Sequence, residues 1–204
     1  MSDIPVSKRK ESRLQAQHEA YKVRKTMTEE LMRNFGLTQK RLKEYIEKRT
    51  AYIQDEAERT QEQAALRMRI EDFVRKERER VTDLSTGITG HLRAANTIFP
   101  EFWDEYMERR LELDRAMEYC NRLQDELQYI AEAIPADKNK YTGIVLQIDK
   151  VFNFIKKLRQ SDRRLLPNLK CVPAEVLADY YASQKKESRK GKGKPSETPP
   201  KGDG

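Results

Sequence analysis

The sequence predicts an all-α protein, built as an antiparallel four-helix bundle with an additional long charged helix and a disordered C-terminal tail. Apolar residues recur at heptad-like spacing in three long segments, and this spacing places them on one face of a helix. Charged residues make up 37% of the 204 residues, well above the usual share of about 25%. Such a composition is typical of long helices that keep one face in water.

The clearest of the three segments is 103–134. One row of positions recurs every seventh residue, and a second row follows three residues later, so that the two rows share a helical face. The rows are Tyr106, Leu113, Cys120, Leu127 and Ile134, and then Arg109, Ala116, Leu123 and Ile130. Pro135 ends the predicted helix, because proline lacks an N–H donor and disfavours the helical conformation in the residue before it. A stripe of this length has to be buried against other helices.

The chain before this helix is more polar. A first helix is predicted over 11–35, and Gly36 suits the left-handed position that follows a helix. Thr38 is a plausible N-cap for a strongly charged segment, 38–66, with only a thin apolar stripe. The sequence leaves open whether 38–98 is one helix or two; we place a break near 60–66.

From 67 to 98 the apolar stripe thickens. Gly87 and Gly90 interrupt it, and since glycine in a helix interior costs up to about 1 kcal/mol relative to alanine, both favour a close approach between helices. The predicted divisions are 1–10, a disordered N-terminus; 11–66, the first helix and the charged extension; 67–164, the bundle core; 165–182, a short C-terminal segment; and 183–204, a disordered basic tail.

The net charge of +7 is concentrated near the C-terminus. The last bundle helix, predicted from 141 to about 162, begins a stretch in which 150–170 holds seven basic residues and one acid, Asp162. A localised positive surface is the electrostatic footprint of a polyanionic partner. The predicted phosphate contacts are Lys150, Lys156, Lys157, Arg159, Arg163 and Arg164.

No signature of catalysis is present. The sequence lacks a glycine-rich phosphate loop and the GxSxG, HExxH and kinase motifs. Its two histidines lie far apart in the sequence, as do its two cysteines, which form no CxxC pair. We therefore expect no enzymatic activity, no catalytic residues, no cofactor and no metal site.

No apolar run is long enough to span a membrane, and we expect a cytoplasmic protein.

Several stretches resemble one known family, the accessory proteins of diversity-generating retroelements, which are encoded beside reverse transcriptases in gut bacteria and their phages. The similar pieces are 94–100 (AANTIFP), 105–110 (EYMERR), 120–123 (CNRL), 126–130 (ELQYI), 134–141 (IPADKNKY) and 158–164 (LRQSDRR). The resemblance implies a four-helix bundle that assembles into a basic homo-oligomer. It also implies binding to template RNA, or to its hybrid with complementary DNA, and to the reverse transcriptase.

Two alternatives to the RNA-binding accessory subunit remain open. The protein could be a helical adaptor or structural protein that binds another protein through 38–66, with no nucleic acid involved. It could also be a DNA-binding regulator, if the turn around Gly36 belonged to a helix-turn-helix. Tyr129, Tyr141, Phe152 and Phe154 are candidates for stacking on bases, although aromatic residues at helical spacing usually belong to a core.

Overall fold

The regular elements among the described residues are all helical, which confirms the all-α prediction. The computed structural model describes residues 6–136 and 138–191. The α-helices in these ranges are α1 (Val6–Met32), α2 (Gln39–Thr50), α3 (Glu56–Thr97), α4 (Trp103–Ala133), α5 (Lys138–Asp162) and α6 (Ala174–Gly191). Two short 3-10 turns, Asn34–Gly36 and Arg163–Asn168, follow α1 and α5; the second is called the 163–168 turn below.

The core lies between α1, α3, α4 and α5. Helix α4 packs against α3 and α5, and α1 packs against the same two helices. Both rows predicted on α4 are buried, including Leu113, Leu123 and Ile130, which have no exposed surface. Burying a side chain of this size contributes about 1.5–3 kcal/mol, so these stripes hold the four helices together.

One of the two glycines predicted to bring helices together does so. A Cβ atom added to Gly87 would lie 2.3 Å from the ring of Tyr119, so α3 approaches α4 closely at this point. A Cβ atom on Gly90 would meet nothing within 4 Å. The prediction is therefore confirmed for Gly87 and wrong for Gly90.

The charged segment 38–66 is not a single helix. Thr38 caps α2 as predicted, accepting a hydrogen bond from the Arg41 backbone, but α2 ends at Thr50. Asp55 then caps α3 by accepting a 2.8 Å hydrogen bond from the Glu58 backbone N–H. The break at 51–55 thus comes before the predicted 60–66. Helix α2 folds back along α3, where its buried face packs.

The ends of the chain also differ from the prediction. Helix α1 already begins at Val6, inside the expected loose segment 1–10, and residues 1–5 lie outside the described residues. Helix α6 reaches Gly191, inside the expected disordered tail 183–204, and residues 192–204 again lie outside the described part.

No described helix combines the length and apolar character needed to cross a membrane.

Two carboxyl groups meet where α3 packs against α4. Glu77 is buried, and its Oε2 has no hydrogen-bond partner among the described residues, nor does Oε1 of Glu126. Burial first, and then the neighbouring Glu126, raise the pKa of Glu77 to about 7, whereas Arg80 acts in the opposite direction. Protonation lets Glu77 donate a hydrogen bond to Glu126, so the pair stabilises this contact in its singly protonated form.

Stability is therefore expected to fall as the pH rises from about 4.5 to about 7. The unfolded chain loses the Glu77 proton near the ordinary pKa of 4.5, whereas the folded chain keeps it until about pH 7. A Glu77→Gln variant should gain about 1–3 kcal/mol relative to the natural protein above this window. Urea unfolding at a series of pH values measures the difference. Glu79→Gln, on the exposed face of α3, is the control; equal pH profiles for the Glu77→Gln variant and the natural protein would contradict the assignment.

Candidate nucleic-acid interface

A buried arginine fixes the end of α5, where the predicted basic surface begins. Arg109 of α4 is fully buried, and its Nε donates a 2.6 Å hydrogen bond to Oδ2 of Asp162. Its Nη1 donates to the backbone oxygens of Ala95 and, at 3.2 Å, Ile98. One guanidinium therefore joins the C-terminal ends of α3 and α5 to the start of α4.

The inward orientation of Asp162 changes the charge of the outer surface. It is the only acid among the basic residues of 150–170, and it is buried against Arg109. Its negative charge is thus neutralised inside the protein. The neighbouring cations of the 163–168 turn keep their charge on the outside.

A short backbone pairing holds the chain that leaves this turn. Lys170 donates its N–H to the Glu101 oxygen at 2.9 Å, and the Lys170 oxygen accepts from the Trp103 N–H at 3.0 Å. Lys170 also places its ammonium group 4.9 Å from the centre of the Phe102 ring. The 163–168 turn is therefore anchored on both sides, before it by Asp162 and after it by Lys170.

Two of the six predicted phosphate contacts are engaged in ion pairs. The ammonium group of Lys150 lies 3.1 Å from a carboxylate oxygen of Glu19, and Nε of Arg159 lies 2.8 Å from Asp114. Both partners come from other helices, α1 and α4. Arg159 is thus paired with one carboxylate, whereas Lys150 shares Glu19 with Lys22, which lies 3.0 Å from the same carboxylate. Both cations are therefore less available to a phosphate than an unpaired side chain.

The other four residues, Lys156, Lys157, Arg163 and Arg164, are exposed. None of them forms an ion pair with another described residue, although Lys157 lies 5.9 Å from the Phe154 ring. Lys157, Arg163 and Arg164 line one pocket with a volume of about 510 Å³. Its other described lining residues are Gln160, Ser161, Tyr180, Ser183 and Gln184. No acid is among them, so we call this the cationic pocket.

Helix α6 forms the second wall of the cationic pocket. Tyr180 lines it, and the ring of Tyr181 packs edge-on against Tyr180 with centroids 5.4 Å apart. Tyr181 is 53% exposed. The sequence pattern did not single out these two tyrosines as candidates for stacking on bases. The available signal was a Tyr-Tyr pair in the short C-terminal segment 165–182, shortly after the basic stretch 150–170.

The aromatic residues that were selected from the sequence have mostly structural positions. Tyr141 is buried and donates a 3.2 Å hydrogen bond to the Phe35 oxygen; burial raises the pKa of its phenol. Phe152 and Phe154 pack against the core. Tyr129 is 53% exposed but lies on α4, packed edge-on against Phe73 of α3. None of them lines the cationic pocket.

Other reactive groups also have structural roles. Burial raises the pKa of the Cys120 thiol to about 12, so it carries no thiolate at neutral pH. His91 lies 2.8 Å from Glu112, and hydrogen bonds from His91 and Arg115 outweigh burial and lower the pKa of Glu112. The described residues contain no group of three or more histidines, cysteines and acids placed to bind a metal ion.

Comparison of the chain with protein-family models, curated proteins and solved structures finds no match. The functional inference therefore depends on the geometry and charge of the cationic pocket.

Proposed function

We propose that the protein is a non-enzymatic nucleic-acid-binding subunit that holds RNA at the cationic pocket. The observation that carries this proposal is the gathering of Lys157, Arg163 and Arg164 around one concave surface whose described lining residues include no acid. Arginine forks bind phosphate oxygens in pairs, and lysine adds a point charge. Lys156, exposed on the same turn of α5, supplies a fourth cation for the phosphate chain.

The scaffold in this proposal is an antiparallel four-helix bundle made of α1, α3, α4 and α5. Support comes from contacts that run in opposite order along paired helices. On α3 and α4 they join Phe73 to Tyr129 and His91 to Glu112. On α1 and α5 they join Glu19 to Lys150, and Thr26 to Gln147. The bundle presents its positive charge at the C-terminal end of α5.

The partner in this proposal is a reverse transcriptase, and the bound RNA is its template. This part depends on the resemblance of the sequence pieces to the accessory proteins of diversity-generating retroelements. In that setting the protein acts in the cytoplasm as a homo-oligomer. Phosphate contacts fix position and carry no sequence information, so RNA shape and the enzyme determine which RNA is held.

Salt dependence tests the nucleic-acid proposal. Contacts from four cations to phosphates of a single strand predict a log–log slope of about −3 for affinity against salt concentration. Binding should then weaken about fiftyfold between about 50 mM and about 200 mM salt. Fluorescence anisotropy with a labelled RNA gives the slope. Affinity that does not change over this range, or no detectable binding, would contradict the proposal.

A protein adaptor is the second candidate, and exposed apolar side chains favour it. Met32, Tyr52 and Met68 are each more than two-thirds exposed. The charges on the outer face of α2 give less support, since Lys40 and Lys43 already pair with Glu44 and Glu47. An adaptor would bind its partner with the cationic pocket neutralised, and RNA binding would be absent.

A further inference from the structure

The cationic pocket combines two kinds of surface. One wall, from α5 and the 163–168 turn, carries Lys157, Arg163 and Arg164. The opposite wall, from α6, carries the Tyr180 ring, and Tyr181 beside it leaves about half of its surface in water. The three cations and the Tyr180 ring thus line one pocket, and the exposed Tyr181 ring packs on Tyr180.

An exposed aromatic ring can stack only on a base whose face is not covered by a neighbouring base. In a duplex the faces of the bases are covered by stacking, and a protein reaches only phosphates, sugars and groove edges. In a single strand the base faces are free and stack on tyrosine, irrespective of sequence. The concave shape also favours an unpaired nucleotide, because a volume of about 510 Å³ lies within the range of pockets that enclose a small ligand.

We propose that the cationic pocket binds single-stranded RNA, with a phosphate between Lys157, Arg163 and Arg164 and the adjacent base stacked on Tyr181. This inference rests on the proposed function and narrows it to unpaired nucleotides. The guanidinium groups and the ammonium neutralise the phosphate, and the tyrosine ring covers the base. Duplex RNA lacks the second contact and binds through its phosphates alone.

The chain offers a closely matched control for the tyrosine. Tyr129 is 53% exposed, as is Tyr181. Each packs edge-on against one aromatic neighbour, with centroids 5.6 Å apart for Tyr129 and 5.4 Å apart for Tyr181. Replacing either with leucine therefore removes an equally exposed ring with similar packing. Tyr181 packs on Tyr180, which lines the cationic pocket, whereas Tyr129 packs on Phe73 and has no contact with a lining residue among these ring pairs.

The test compares a labelled oligouridylate, free or annealed to oligoadenylate, by fluorescence anisotropy with the full-length chain. Tyr181→Leu is expected to weaken single-strand binding about tenfold and to leave duplex binding unchanged. Tyr129→Leu should change neither, and Tyr181→Phe, which keeps the ring, should retain single-strand affinity. Circular dichroism verifies that each variant is folded.

Different results would overturn the single-strand inference and the proposed function. If the natural protein binds duplex as tightly as single strand, or if Tyr181→Leu and Tyr129→Leu have equal effects, the single-strand inference is overturned while RNA binding stands. If neither RNA binds, the proposed function fails and the inference fails with it.

Discussion

Replacing Arg109 with methionine is expected to lower the free energy of unfolding by about 3–5 kcal/mol. The substitution keeps much of the side-chain volume but leaves Asp162 charged, buried and without its partner. It also removes the donors to the backbone oxygens of Ala95 and Ile98 at the end of α3. A buried charge that loses its counterion is among the most destabilising single changes in a protein core. Urea denaturation followed by circular dichroism measures the loss.

Two further variants identify the cause. Arg110→Met alters the next residue, which is only partly buried and donates a 3.4 Å hydrogen bond to the Tyr106 hydroxyl; a change below about 1 kcal/mol is expected, because this hydrogen bond is long and partly exposed to water. The double variant Arg109→Met with Asp162→Leu removes both charges and should recover part of the stability. An Arg109→Met protein as stable as the Arg110→Met protein would show that the guanidinium does not hold the three helix ends together.

The sequence determines the core more clearly than the surface. The heptad rows on α4 predicted its buried face because helical periodicity is a local property of the chain. The same rows included Arg109, and its place among apolar residues was a correct sign of burial. Its partner Asp162 could be read only as part of the basic segment, since the contact joins two helices far apart in sequence.

Contacts between residues far apart in sequence explain why local patterns did not reveal the partners of two predicted phosphate contacts. Lys150 and Arg159 belong to the basic segment, but their partners Glu19 and Asp114 lie on other helices. The break after α2 was misplaced because 51–66 is rich in residues that favour a helix. The break at 51–55 is fixed by the Asp55 cap and by Arg59, whose Nε donates a 2.9 Å hydrogen bond to the Ile53 oxygen. The pocket wall at Tyr180 depends on how α6 packs, which local patterns do not reveal.

Neutralising the cationic pocket is expected to have the largest effect on RNA binding. A triple variant with Lys157, Arg163 and Arg164 replaced by glutamine should bind single-stranded RNA at least about a hundredfold more weakly, because hydrogen bonds to charged groups contribute about 1.5–3 kcal/mol each. The salt slope should become shallower by about 2, because the variant neutralises fewer phosphates and releases fewer counterions. Lys150→Gln and Arg159→Gln should have smaller effects on affinity, since each side chain is already engaged by a carboxylate.

The decisive comparison uses a second triple variant with the same change in net charge. Glutamine at Arg24, Lys48 and Lys76, which are exposed and form no ion pair with another described residue, removes three positive charges outside the cationic pocket. RNA affinity and its salt slope are measured for both triple variants by fluorescence anisotropy. We expect a large loss of affinity and of salt slope for the pocket variant, with near-natural values for the second variant. Equal losses in the two variants, or none in either, would contradict a phosphate-binding site at the end of α5.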